Sequence, residues 1–253
     1  MARDRTSAGD PARTLALLWG TAPTARSGPG RGLRVDAVVA AATSLADERG
    51  LAAASRRTVA ERLGVSAMTP YTNVPGKAEL LDLMLDAAYR RRPLTDSTGL
   101  PWRERLTAVA DENRSLYLRH PWAIQVSTLR PPLGPGLMTN YEPVLAALDG
   151  LGLTDLEIDD SLTHLLSFVP ANARAAVDTQ AAQLDSAMTD AQWWAANAVL
   201  LSQVFDAQAY PLAVRVGSAA GAAHGSAHDP DHAYAFGLRR LLDGLAALVE
   251  RAL

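Results

Sequence analysis

His224, His228 and His232 stand four residues apart, a spacing that would stack imidazoles on one helix face around a divalent metal. Gly225 and the Asp229-Pro230 pair interrupt any continuous helix there, so the trio reads as part of a polar loop, and no metal is expected. The chain has no cysteine, which removes disulfides and thiolate metal sites. No nucleophile, histidine and acid fall into a catalytic pattern, and no glycine-rich phosphate loop occurs. The chemistry on offer is binding rather than catalysis: no catalytic residue and no cofactor are expected.

Charge says what might be bound. Residues 1–92 carry 14 Lys+Arg against 9 Asp+Glu, and residues 93–253 carry 10 against 18, so the formal charge of −3 divides into +5 and −8. A basic head suits a polyanion, and an acidic body leans towards a neutral or cationic small molecule. Residues 1–31 are rich in Arg, Gly, Pro, Ser and Thr and read as a flexible arm, with the island Leu15 to Trp19 as a short docked helix. Such an arm either reaches a DNA minor groove or is a plain soluble leader. No run of about 18 apolar residues occurs and no cleavable apolar leader stands at the start, so a cytoplasmic protein with no membrane contact is expected.

The elements that must hold these groups are all helical. Val35, Val38, Val39, Ala42, Leu45 and Ala46 follow helical spacing up to Arg49-Gly50. Ser55 caps a short second helix closed by Gly64, and a helix after Pro75-Gly76-Lys77 carries Leu80, Leu81, Met84, Leu85 and Ala88 on one face. Further helices are predicted over Trp102 to His120, Leu137 to Leu148, from Thr154, from Thr189 to Phe205, and from Asp229-Pro230 onwards. Pro170 should kink or end the one that begins at Thr154. The fold class is all-α, with an arm at 1–31, a three-helix head at 32–92 and a helical body of six or seven helices at 93–253.

Within the head, SRRTVAERLGVSAMTPYTNV reads as helix, glycine turn, second helix. Ala60 is small where the two helices cross, and Gly64 is free to take the left-handed turn. The sequel LGVSAMTPYTNVPGKAELLDLMLDAA carries Gly64-Val65, Tyr71, Val74, Lys77 and the Leu80-Leu81 pair. On these features residues 33–90 resemble the DNA-binding head of the TetR family of bacterial transcription regulators. The resemblance implies that the helix after Gly64 enters the major groove of a double-stranded DNA operator, with Ser66, Ala67, Met68, Thr69, Thr72 and Asn73 facing it. It implies a base or phosphate contact for Arg57, with Arg56 beside it, a phosphate hydrogen bond for Tyr71, and a backbone contact for Lys77 at a helix N-terminus. Arg57 as a solvated helix-face charge and Tyr71 as a core aromatic are the plainer alternatives. Pro70 stands where the resemblance implies a leucine-like residue. Either Ser66 caps the helix and Pro70 is its fourth residue, or Thr69 caps and Pro70 is the first; DNA binding should persist, with the first turn loosened and Thr69 re-aimed.

The same resemblance implies a homodimer whose bodies each bind a small-molecule effector. Polar and aromatic residues in otherwise apolar helices are the ligand candidates: Asn113, Tyr117, Trp122, Gln125, His164, Phe168, Asn172, Trp193, Trp194 and Asn197. A lone His164 fits a satisfied core position equally well. The stripe Leu238 to Val249, with the Trp193–Phe205 helix beside it, is expected at the dimer interface, ordinary internal core being the alternative. The function implied is a repressor released from DNA by its ligand, the Lys77 helix linking body to head. An activator, or a helical binding protein or enzyme whose head no longer touches DNA, remain as alternatives.

Overall fold

The structure is a computed structural model that describes residues 5–22, 34–66, 68–70, 74–126, 130–226 and 228–252. Its helices are α1 (Pro11–Leu18), α2 (Val35–Arg49), α3 (Arg56–Leu63), α4 (Lys77–Arg90), α5 (Trp102–Arg119), α6 (Pro121–Gln125), α7 (Pro135–Leu148), α8 (Asp155–Ser186), α9 (Asp190–Val204), α10 (Pro211–His224) and α11 (Pro230–Ala252), with a 3-10 turn at Leu51–Ala53. No β-strand forms among the described residues. The fold class is all-α.

Local chemistry sets the helix starts. Ser55, Thr154 and Thr189 each accept from the backbone three residues on, while Thr58, Glu157 and Gln192 reach back, three capping boxes that satisfy otherwise orphaned N–H groups. Gly64 ends α3 in the left-handed region at φ 66° and ψ 31°, a conformation that costs a side-chain-bearing residue about 1 kcal/mol or more. Pro170 does not end α8, one of the two outcomes expected from sequence. Its missing N–H removes one bond, while Val169 and Ala173 on either side are fully buried. Helix α10 was not anticipated, because its glycines and valines carry weak helix propensity.

One core runs from head to body. Val38 and Ala42 of α2, Met84 and Leu85 of α4, Leu106 of α5, Leu148 of α7, Leu165 of α8 and Leu242 of α11 belong to a single buried cluster. Helix α4 is its spine, and ten of its 14 residues are buried. At Gly136 the backbones of α4 and α7 come so close that a Cβ would overlap the Asp86 carbonyl. Helices α9 and α10 bury no residue at all.

Two expectations are corrected. Leu238, Leu242, Leu245 and Val249 of α11 are buried within the chain, where α11 packs along α8, so this stripe is internal core and not a free interface. The docked part of the arm is longer than the expected island Leu15 to Trp19 and reaches back to Ser7. Helix α1 packs on α4, Leu18 and Thr14 are buried, and the Trp19 indole N–H donates to the Leu133 carbonyl at 2.8 Å. Apolar burial and these bonds hold residues 5–22 on the body; residues 1–4 and 23–33 lie outside the described residues.

Candidate nucleic-acid interface and effector core

The head is a braced corner. Val59 and Ala60 of α3 pack against α2, and Ala60 at 2% exposure leaves room for the crossing helix. Arg62 of α3 donates to Glu48 of α2 at 2.6 and 2.9 Å and to Ser44 at 3.1 Å. Those bonds hold the Glu48 carboxyl down at about 2, so the clamp is charged at any physiological pH. The turn that follows is closed by the Val65 N–H on the Ala60 carbonyl at 3.1 Å.

Pro70 reshapes the next turn without erasing it. In a regular helix the Ser66 carbonyl would accept from residue 70, which here has no N–H. Instead the Thr69 N–H donates to the Ser66 carbonyl at 3.0 Å, a tighter three-residue bond, and the two hydroxyls of Ser66 and Thr69 meet at 2.8 Å. The Pro70 carbonyl accepts from the Val74 N–H at 2.9 Å. Pro70 is buried, so its ring fills apolar space in the head.

The other DNA candidates divide. Ser66 and Met68 are exposed, Met68 at 74%. Arg57 is exposed and paired along α3 with Glu61 at 2.7 Å, which a phosphate would have to displace. Arg56 and Lys77 line one shallow groove with Ser55 and Leu80, so the N-termini of α3 and α4 open side by side. Ala67, Tyr71, Thr72 and Asn73 lie outside the described residues.

Head and body are joined by polar ties that sequence reading missed. Asp47 of α2 accepts the Trp122 indole N–H at 2.7 Å and meets His120 Nδ1 at 2.7 Å. Trp122, a ligand candidate from sequence, is thus spent as a 1%-exposed bolt between head and α6. On α4, Glu79, Asp82 and Asp86 are buried among leucines. Asp86 Oδ1 accepts from the backbone N–H groups of Gly136 and Leu137 at 2.7 and 3.1 Å, capping α7, while Oδ2 accepts from Arg90 at 2.8 Å. Asp82 Oδ1 accepts from the Ser7 N–H at 2.8 Å, and its Oδ2 has no partner. Burial pushes its carboxyl up to about 6, with the Ser7 bond pulling the other way and the nearby Glu79 charge adding to the rise. The available signal was the spacing 79, 82, 86: three acids on the leucine face of a helix.

The ligand candidates fall into separate groups. Asn113 and Tyr117 are buried beside α4, where the Tyr89 and Tyr117 hydroxyls lie 3.4 Å apart and Arg92 donates to Asn140 Oδ1 at 2.5 Å. Asn113 donates back to the Val109 carbonyl at 2.9 Å. Phe168 of α8 stacks on Tyr234 at 5.8 Å, Tyr234 donates to Asp111 at 2.8 Å, and Asn172 bonds the Phe168 carbonyl at 3.0 Å. Trp193, Trp194 and Asn197 sit on α9 outside the core, and Gln125 and His164 are exposed. His164 is therefore not a core residue of the single chain. His224 and His232 bring their rings to 4.5 Å, yet among the described residues no group of three or more His, Cys, Asp or Glu side chains is arranged to hold a metal. No helix of the described residues is long and apolar enough to cross a membrane.

This geometry has known counterparts. Residues 95–249 match the family model described as the tetracyclin repressor-like C-terminal domain. The chain is 41% identical over 251 residues, 98% of its length and 90% of the relative's, to the HTH-type transcriptional repressor DrrR1 of Streptomyces coeruleorubidus. It superposes on apo ActR of Streptomyces coelicolor with a TM-score of 0.71 at 24% identity, covering 89% of this chain and 100% of that one. The complex of the TetR family protein ActR with actinorhodin gives 0.70 at 25% identity, covering 87% and 99%.

Proposed function

The chain belongs to the TetR family of transcription regulators, and from that premise we propose that it is a homodimeric repressor which leaves its operator when a small molecule fills the body. The observation that carries this reading is the double attachment of α4. Its first half gives Leu80 and Leu81 to the core it shares with α2, while Asp86 and Tyr89 in its second half are bonded into the body. A ligand that favours a body in which α4 has tilted draws the heads off their half-sites, because two heads bind well only when spaced about one DNA turn, roughly 35 Å, apart. The repressor name of the relative DrrR1 and the actinorhodin complex of ActR support the two halves of the reading.

The second copy docks on α9 and α10. Val199, Leu200 and Val204 of α9 and Leu212 and Val216 of α10 are all more than half exposed, a concentration of apolar surface that a soluble monomer rarely leaves open. Ser66, Met68, Thr69, Arg56, Arg57 and Lys77 form the DNA-facing set, joined by Ala67, Tyr71, Thr72 and Asn73. A gel-shift titration with DNA from upstream of the chain's own gene tests the reading. Specific binding that survives competitor DNA is expected, and equal binding to unrelated DNA would overturn it.

A further inference from the structure

Residues 5–22 lie along α4 as a splint. Glu79, in the first turn of α4, is wedged between the strap and the start of its own helix: a Cβ on either Gly9 or the N-cap Gly76 would overlap its carboxylate. One turn on, Asp82 accepts from the Ser7 N–H. At the far end Leu18 and Asp86 both press on Gly134, where a Cβ would overlap them. The strap thus follows α4 for about 10 Å, from the head side to the body. A second set of ties fastens it to the chain before α7. The Thr6 and Ser7 hydroxyls donate to the Arg130 and Pro131 carbonyls at 2.6 and 3.2 Å, and the Trp19 indole donates to Leu133. Leu17, Leu18 and Trp19 also line a cleft of about 370 Å³ with Val35 and Val39 of α2 and Leu83 of α4. Head, linking helix and body therefore all meet the same short segment.

Docking is opposed as well as favoured. Ser7 holds φ at 51°, one of two residues other than glycine with positive φ among the described residues, a strain that persists only while the surroundings enforce it. The strap also leaves Asp82 Oδ2 buried with no partner. Several ties set against strain and an unmet carboxyl oxygen make a latch that can open, unlike the fully apolar core beneath it. We propose that residues 5–22 are a displaceable brace that fixes the tilt of α4 between body and head, and that undocking it frees the heads from the spacing an operator demands. The operator half of this inference rests on the repressor reading above; the brace itself does not. A DNA-reaching arm would use the exposed Arg5 and Arg13 of the same segment, and is the competing role.

Ser7→Pro in the full chain tests the brace, because proline cannot hold a positive φ and offers no N–H to Asp82. Hydrogen exchange should find the Thr14 and Leu18 amides protected in the unmodified chain. In Ser7→Pro they should exchange about tenfold faster, and so should the Leu83 to Ala87 amides of α4, while Leu238 to Leu245 of α11 keep their rates. Unprotected α1 amides in the unmodified chain would overturn the brace, a readout that stands even if the proline variant does not fold. Unmoved α4 amides, or an equal rise in α11 that marks general destabilisation, would overturn it too. Operator affinity should fall about tenfold with an unchanged salt slope. Unchanged affinity contradicts the operator half, and a shallower slope overturns the proposal by assigning Arg5 and Arg13 to DNA. Absent operator binding by the unmodified chain contradicts the repressor reading alone, and the exchange rates still decide the brace.

Discussion

Helix α4 and the α9–α10 pair have similar apolar content and opposite fates. In α4 even the carboxylates of Asp82 and Asp86 are enclosed and bonded, whereas α9 and α10 bury nothing and present Val199, Leu200 and Val204 to solvent. The chain completes its own interior along α4 and leaves its exterior incomplete on α9 and α10. On the function proposed above, the difference would separate a helix that transmits movement within one copy from a surface that receives another.

Breaking the outer surface should have the largest effect. Leu200→Asp places a charge in the apolar patch; sedimentation should show monomers, operator affinity should fall by about a hundredfold, roughly 3 kcal/mol, and the melting temperature should barely move, since Leu200 is 61% exposed within the chain. Breaking the inner tie should do the reverse. Asp86→Ala strands the Gly136 and Leu137 N–H groups and should cost about 2–3 kcal/mol, a fall of very roughly 6 °C in thermal melting, with sedimentation still showing dimers.

A smaller effect sharpens the inner half of the comparison. The Asp82 carboxyl is raised to about 6 from an ordinary 3.8, so its neutral form is the one the fold accommodates. Below pH 4 it is protonated both folded and unfolded, and stability is lost as pH rises through about 6. Asp82→Asn keeps an acceptor for the Ser7 N–H and should match the wild type near pH 4 while melting a few degrees higher at pH 7.5. Pro70→Leu should do least: it returns an N–H to the Ser66 carbonyl, so operator affinity should stay equal or rise slightly in an anisotropy titration.

How much of this was legible depended on whether the signal was local. Capping boxes at Thr154 and Thr189, the left-handed Gly64 and the helix-turn-helix spacing are written within a few residues, and the helices they bound were readable. The α11 stripe showed which face is apolar but not what covers it, since periodicity is blind to the neighbour, and α8 covers it here. Trp122 and Arg92 were harder still. The Trp122 partner, Asp47, lies 75 residues away, and the Arg92 partner, Asn140, lies 48 away, so no local pattern marks either. Residue type alone does not say which side chains meet in space, and the ligand candidates fall at separate places in the fold.

The central claim, that two heads are set by the bodies beneath them, can be measured directly. With no native cysteine, Glu61→Cys on the exposed face of α3 gives one unique spin-label site per chain. Pulsed electron resonance on the dimer should yield an inter-head distance that narrows to a single peak on adding operator DNA, and no distance once Leu200→Asp is introduced. A wild-type sample with no inter-head distance, or one whose distribution operator DNA leaves unchanged, would contradict the account.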